Sequence, residues 1–306
     1  MEISQKLQII QKLSRLTQTQ LARELDVSFP TLNSWMNERS QPHTKKIQKI
    51  DDLYSKYTGV KIIPKDNLIA KKDIITKKSK EHTNIIKLIK NRPDIFDQFI
   101  LSLTYNTNSI EGSTLTENET AAILFQNITF KNRDLVEHLE AKNHQSALEY
   151  LFNEIKKDYK ITEEFILELH HILMNSIRPD AGRYRNHGVR IVGANVPTAN
   201  YVKVPDLMRN LIKEINKKHK DPIKHVSFIH SKFEQIHPFS DGNGRIGRLI
   251  MTAMLLKANT APAVIEKEKK NSYYKYLQKA QQKEDYSELE KFICDSILNG
   301  FEILEA

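Results

Sequence analysis

The densest chemistry in this chain lies in one stretch, Ile236-His-Pro-Phe-Ser-Asp-Gly-Asn-Gly-Arg-Ile-Gly-Arg248. An apolar helical run ends at His237-Pro238, a loop carries Asp241, Gly242, Asn243 and Gly244, and a new helix is expected from Arg245 through Leu256. Small residues at a helix N-terminus let backbone N–H groups converge on an anion. Arg245 and Arg248 are three apart, so both lie on one helical face over that nest. Two guanidiniums plus backbone donors suit a polyphosphate. Asp241 beside a phosphate site is a natural Mg²⁺ ligand, because Mg²⁺ binds through a carboxylate and phosphate oxygens. His237 at the rim can act as a general base near neutral pH. Taken singly, Gly-Asn-Gly is an ordinary turn, His-Pro an ordinary helix end and the arginine pair an ordinary solvated face. Together they describe a phosphoryl- or nucleotidyl-transfer site.

The elements that must position these residues read as mostly helical. The chain has 306 residues, 39% of them hydrophobic and 28% charged, which suits a charged globular protein of one large or two smaller domains. Its one cysteine, Cys294, excludes an intramolecular disulfide and a Cys-based zinc site and argues for a reducing compartment. No uncharged apolar run approaches the ~20 residues of a membrane span. The most apolar stretch, Leu249 to Leu256, is bracketed by Arg248 and Lys257, and Met1 to Ile10 has no signal-peptide core. A cytoplasmic protein with no membrane partner is expected. Residues 1–90 hold 18 Lys/Arg against 9 Asp/Glu, whereas the remainder hold 29 of each, so the whole basic excess of +9 sits in the first third. That asymmetry suggests either an anionic partner or a lysine-rich linker.

Short helical patterns fill residues 3–57. Residues 58–83 lack clear periodicity, contain Gly59 and Pro64 and then lysine pairs, and read as a basic linker. Helical periodicity resumes near Asn84. Thr116-Glu-Asn-Glu119 and Ser287-Glu-Leu-Glu290 are capping-box patterns before apolar helices. Between them, Val189 to Val204 is β-rich with Gly and Asn in the middle, which predicts a hairpin, and a helix should restart after Pro205.

Near the N-terminus, Leu21, Ala22 and Leu25 share one face of a short helix, Asp26-Val27 makes a turn, and Ser28 can cap a second helix whose Leu32 and Trp35 face the first. This spacing is what two crossing helices need to pack. Thr17 to Met36, followed by Pro42, resembles the lambda-repressor-like helix-turn-helix family over about 40 residues, departing from it at Pro30 in the first turn of the second helix, where proline is tolerated. The resemblance implies DNA contact through Ser28, Phe29, Thr31 and Asn33 in the major groove, with Lys45 and Lys46 on phosphates. A small bundle that serves as a docking module is the other reading.

The stretch from His237 to Arg248 resembles the Fic family motif, His-Pro-Phe-x-Asp/Glu-Gly-Asn-Gly-Arg-x-x-Arg, at every defined position, and the likeness runs from about Asp94 to Ile303. His225 and His230 also fit, as packing or hydrogen-bonding residues rather than zinc ligands. The resemblance implies an all-α core with a β-hairpin flap and an enzyme that moves AMP from ATP to a Ser, Thr or Tyr hydroxyl of a target protein. In that scheme His237 deprotonates the hydroxyl and Asp241 holds Mg²⁺. Gly242, Asn243 and Gly244 bind the α- and β-phosphates, Asn243 through its side-chain amide. Arg245 grips the phosphates, and Arg248 takes the γ-phosphate. The related death-on-curing toxins, which transfer phosphate, carry Lys where this chain has Gly244. The predicted hairpin corresponds to the family's flap, which aligns the target by strand addition. Tyr273, Tyr274 and Gln281 would line the adenine pocket, although Lys269-Lys270 replace an Asn-Arg pair often found before the tyrosines.

Thr107-Asn-Ser-Ile-Glu-Gly112 resembles the inhibitory-helix motif of the same family. Glu111 paired with Arg248 would remove the γ-phosphate partner and repel ATP. Some members use the same Glu to remove AMP again. The expected organisation is a helix-turn-helix domain over 1–57, a basic linker over 58–83 and a Fic domain over 84–306, with the inhibitory helix near 104–112. Two alternatives stay open: a DNA-binding transcriptional regulator that uses the core as a nucleotide sensor, and a transferase with another nucleotide or phosphocholine as donor. A homo-oligomer also fits the resemblance.

Overall fold

The computed structural model describes residues 3–58, 65–156, 158–190 and 196–306. The chain divides into two compact units, Met1–Leu68 and Ile69–Ala306. Among the described residues no strand forms, and no helix is long and apolar enough to cross a membrane.

The first unit contains α1 (Ile3–Ser14), α2 (Gln18–Glu24), α3 (Phe29–Met36) and α4 (Thr44–Thr58). Leu7 and Ile10 of α1, Leu21 of α2, Leu32 and Trp35 of α3 and Ile50 and Leu53 of α4 converge on one core with Leu25. Thr17 and Gln20 close a reciprocal capping box at the start of α2, and Ser28 caps α3, whose first turn accommodates Pro30.

The residues expected to face DNA are only partly free. The Ser28 hydroxyl is spent on the cap and on Thr31 Oγ1 at 2.8 Å. Lys46 was expected to serve phosphates. Its ammonium instead donates to the carbonyls of Leu25 at 2.7 Å and Asp26 at 2.9 Å, satisfying the end of α2. Phe29 and Lys45 are exposed, whereas Thr31 and Asn33 are half-buried, and Asn33 bonds the Asn37 amide.

The second unit corrects the expected linker. Residues Lys65–Glu81 form a helix, α5, whose part from Ile69 onward docks through lysines that read as solvated charge. Lys72 meets both Asp221 and Glu290 at 2.6 Å, Lys71 pairs with Asp295, and Lys78 reaches Glu305 at 2.5 Å. The remaining helices are α6 (Ile85–Asn91), α7 (Pro93–Glu111), α8 (Glu117–Gln126), α9 (Leu135–Glu154), α10 (Glu163–Leu173), α11 (Val204–Ile215), α12 (Pro222–Ile236), α13 (Asn243–Lys257), α14 (Lys270–Lys283) and α15 (Ser287–Leu304). The apolar run Leu249–Leu256 lies in α13, buried on all sides, as a helix apolar all round requires. α12, α7, α9 and α10 pack around it.

Thr116 and Glu119 form the expected capping box at α8. The Ser287 box does not form: α15 starts at Ser287, whose hydroxyl turns to Asp285 at 2.6 Å, while Glu290 is taken by Lys72. α11 begins at Val204 with Pro205 in its first turn. Of the predicted hairpin, residues 191–195 lie outside the described residues. Its described flanks form no strand, but Thr198 Oγ1 donates to the Val189 carbonyl at 2.8 Å.

Candidate active site

The site is built where α12 stops and α13 starts. Pro238 disfavours helical backbone at the residue before it, and His237 ends α12 with left-handed backbone at φ 53°. Gly242 opens α13 at φ 75°, and a Cβ there would also press to 2.9 Å from Met174 Sδ. α13 therefore begins two residues earlier than expected, at Asn243.

The loop between them is braced from within. Asn243 was expected to offer its side-chain amide to phosphate. It is buried, and its amide clasps Phe239 instead, accepting from the Phe239 N–H and donating to the Phe239 carbonyl, both at 2.9 Å. The Phe239 ring lies flat on His170, with centroids 3.7 Å apart. His170 Nδ1 accepts from the Gly182 N–H at 2.8 Å, so its proton sits on Nε2, which donates to the Asp241 carbonyl at 3.1 Å. Burial holds His170 down to about 4, keeping it neutral. Ser240 is tied to Asp180 at 2.5 Å, and Arg178 holds Asp180 at 2.8 Å.

His237 presents one nitrogen inward and the other to the site. Its Nδ1 lies 3.2 Å from the Glu234 carbonyl, so the neutral ring donates from Nδ1 and keeps Nε2 as an acceptor. Burial lowers its affinity for a proton below that of free histidine, and the Arg185 charge adds to this. Glu234, one turn earlier on α12, is fully buried. Burial, reinforced by Glu111 and opposed by Arg248, pushes its carboxyl up to about 8.

Arg245 and Arg248 both project from α13 but are buried rather than solvated. Arg245 Nη1 bonds Glu140 of α9 at 2.6 Å, and Nη2 approaches Asp241 at 3.8 Å. Arg248 Nε donates to Thr107 Oγ1 at 2.6 Å, and Nη2 pairs with Glu111. Tyr273 supports the guanidinium 5.9 Å beneath. Two of the arginine donors, Arg245 Nε and Arg248 Nη1, are buried without a hydrogen-bond partner among the described residues.

Glu111 is the last residue of α7, which Gly112 terminates at φ 114°. Its carboxylate lies over the first turn of α13: a Cβ added to Gly244 would collide with it and stand 3.2 Å from Arg248 Nη1. A carboxylate thus occupies the place where an anion would meet the helix N-terminus.

The expected adenine residues separate. Tyr273 is fully buried, with its hydroxyl 2.6 Å from His230 Nε2, and Gln281 is buried and donates to the Ser231 carbonyl at 3.3 Å. Both are packing residues, because core formation consumes their surface and hydrogen bonds. Only Tyr274, 37% exposed over Tyr273, has a face to offer. His225 bonds the Glu214 carbonyl at 3.1 Å, as a hydrogen-bonding residue should. Glu140, His170, Arg185 and Glu234 carried no local sequence signal.

The Asp241 side chain is 54% exposed, with one oxygen taken by its neighbour's N–H at 2.6 Å. Among the described residues no group of three or more His, Cys, Asp or Glu is placed to hold a metal ion. A single exposed carboxylate beside an anion nest suits Mg²⁺ that arrives with phosphate oxygens.

Residues 160–255 match the Fic/DOC family model, and residues 9–58 match a helix-turn-helix model. The second unit is thus similar to a Fic core over residues 160–255, and the first unit to a helix-turn-helix domain over residues 9–58. It is 34% identical over 180 residues to the protein adenylyltransferase Fic of Nematostella vectensis, which covers 58% of this chain and 42% of that protein. Against the protein of the same name from Drosophila ananassae it is 29% identical over 234 residues, 75% of this chain and 45% of that one. The chain spans less than half the length of these curated relatives. A Fic domain containing signaling protein from Bacteroides thetaiotaomicron superposes with a TM-score of 0.66 at 25% identity, covering 77% of this chain and 98% of that one.

Proposed function

We propose that the chain is a protein adenylyltransferase held inactive by its own Glu111. The target hydroxyl gives its proton to His237 Nε2 as its oxygen attacks the α-phosphorus of ATP. The bond from that phosphorus to the β-phosphate bridging oxygen breaks, and pyrophosphate leaves. The N–H groups at the start of α13 receive the α- and β-phosphates, and Arg245 balances their charge. Arg248, whose Nη1 has no partner among the described residues, takes the γ-phosphate once Glu111 withdraws. Asp241 would hold Mg²⁺, which supplies charge neutralisation to the phosphates. Tyr274 is the adenine-facing candidate. The described flanks of the 187–200 segment are where a target backbone would lie.

The observation that carries this reading is the placement of Glu111 on both Arg248 and the N-terminus of α13. The test is intact mass after incubating wild type, Glu111→Gly and Glu111→Gly/His237→Ala with Mg²⁺ and ATP. AMP on the Glu111→Gly protein alone supports both chemistry and brake. Equal labelling of wild type keeps the enzyme and removes the brake. No labelling, with ATP shown to bind, points to another donor nucleotide.

The helix-turn-helix match favours a second activity that does not exclude the first, DNA binding by the N-terminal domain. Exposed Phe29 and Lys45 support it, while Ser28 and Lys46 are spent inside the fold. DNA retention should fall steeply with salt if phosphate contacts carry it; a shallow dependence would favour a docking module.

A further inference from the structure

We propose that Arg185 is a positioning residue for His237. It fixes the backbone that presents the imidazole and ties that backbone to His187 and Ala199 beside the site. The inference rests on His237 being the base.

Arg185 is 4% exposed, and among the described residues it has no carboxylate partner. Its guanidinium instead gathers carbonyl oxygens. Nε donates to His237 O at 2.7 Å, Nη2 to Ile236 O at 3.3 Å and Ala199 O at 2.5 Å, and Nη1 to His187 O at 2.7 Å. Its own N–H donates to Pro238 O at 3.0 Å. Three consecutive carbonyls, Ile236 to Pro238, are thereby held by one residue.

Ile236 O and His237 O are carbonyls that α12 leaves unsatisfied at its C-terminus, where a cation is favoured by the helix dipole, and Pro238 O follows directly after them. They also bracket the left-handed His237, a conformation that a non-glycine residue holds only when its surroundings enforce it. His187 and Ala199 lie on the two sides of the segment beside the site, and Ala199 N–H also reaches Gln235 O at 3.3 Å. One guanidinium thus holds the backbone of the base together with His187 and Ala199 beside it. Lysine cannot reproduce this, since it lacks the rigid fork of donors.

Among the described residues, four charged or titratable groups face His237. Glu234 lies on its own helix, Glu111 is on α7, Asp241 is in the loop, and Arg185 is on the segment after α10. Glu111 and Asp241 favour the imidazolium. Arg185 opposes it, in the same sense as burial. Removing its charge should therefore raise the proton affinity of His237.

The experiment uses the full-length Glu111→Gly protein with Arg185→Lys and Arg185→Gln added. Turnover with saturating ATP should fall about 10- to 100-fold in both, because a misplaced base loses orientation, while KM for ATP changes little. The acid limb of the pH–rate profile, and the His237 titration followed by NMR of histidine-labelled protein, should move to higher pH in Arg185→Gln and stay near the parent in Arg185→Lys. Turnover within about twofold of the parent in folded Arg185→Gln would overturn the proposal. So would equal shifts in both variants, or loss that follows melting temperature with no shift. The NMR titration needs no turnover, so a parent that fails to transfer AMP counts against the enzymatic reading and leaves the Arg185 assignment decidable.

Discussion

Glu111 and Gly244 compete for one volume: the space a side chain would fill on Gly244 is held by the Glu111 carboxylate, with the Arg248 guanidinium alongside. The missing side chain at the start of α13 is therefore what admits an anion, and the anion present belongs to the protein itself.

Removing that anion should open the site to nucleotide. Glu111→Gly is expected to bind ATP at least about tenfold more tightly than wild type, in line with loss of a charge-assisted pair of roughly 1.5–3 kcal/mol. Glu111→Gln, which keeps the bulk but not the charge, should fall between them. Isothermal titration measures this directly, and equal affinities across the three proteins would remove the brake.

Thr107 should contribute to the same brake from one turn earlier. Its buried hydroxyl accepts from Arg248 Nε, and Thr107→Ala leaves that donor without its partner. A loss of about 1–3 kcal/mol of stability is expected, with AMP labelling between wild type and Glu111→Gly. Thr107→Ser should retain both properties. Thermal melts and intact mass separate the two effects.

Asn243 should matter through its loop. Because its amide closes on both polar atoms of the Phe239 backbone, Asn243→Asp removes the donor to the carbonyl and Asn243→Ala removes both bonds. In the Glu111→Gly background, turnover should fall along with a decrease of several degrees in Tm. Unchanged Tm with weaker ATP binding would instead return the amide to the phosphates.

Four buried groups contribute to the pH dependence of stability in two opposite senses. Burial keeps His144 and His230 neutral down to about 3, and His170 down to about 4. Below about pH 6.5 the unfolded chain takes up protons that the folded one refuses, so these three groups remove stability as pH falls toward 4. Glu234 acts oppositely. With its folded carboxyl raised to about 8, the folded state holds a proton that the unfolded state loses near 4.5, so its contribution declines as pH rises from about 4.5 to 8. Glu234→Gln should flatten the decline between about pH 7.5 and 8, above the range in which the unfolded histidines titrate. Melting temperature against pH for wild type and variant tests this, and parallel curves would show that Glu234 is ionised in the fold.

The centre of the site was legible because its parts are contiguous: His237, Asp241, Gly244 and the two arginines are placed by one helix end, one loop and one helix start. What reading along the chain misses is the partner that comes from elsewhere. Glu140 is 105 residues from Arg245, and Arg185 is 52 from His237. Neither has a local pattern, because its role is defined only after the helices pack. The same holds for α5, whose lysines looked like linker charge until Asp221, Glu290, Asp295 and Glu305 were brought beside them. Ser287 failed as a cap for a related reason, since Lys72 claims the Glu290 that the box needs. Tyr273 and Gln281 show the converse: residue type suggested a binding wall, and burial assigned them to the core.

The position of Glu111 within its helix bears on its release. As the terminal residue of α7, before the left-handed Gly112, it belongs to the turn with the fewest following hydrogen bonds. Helix ends open locally at a small fraction of the free energy of global unfolding. In the proposed brake, release of Glu111 would then need opening only at the end of α7, at the expense of exposing the buried Asn108 and Ile110 of that turn, and no movement of a domain.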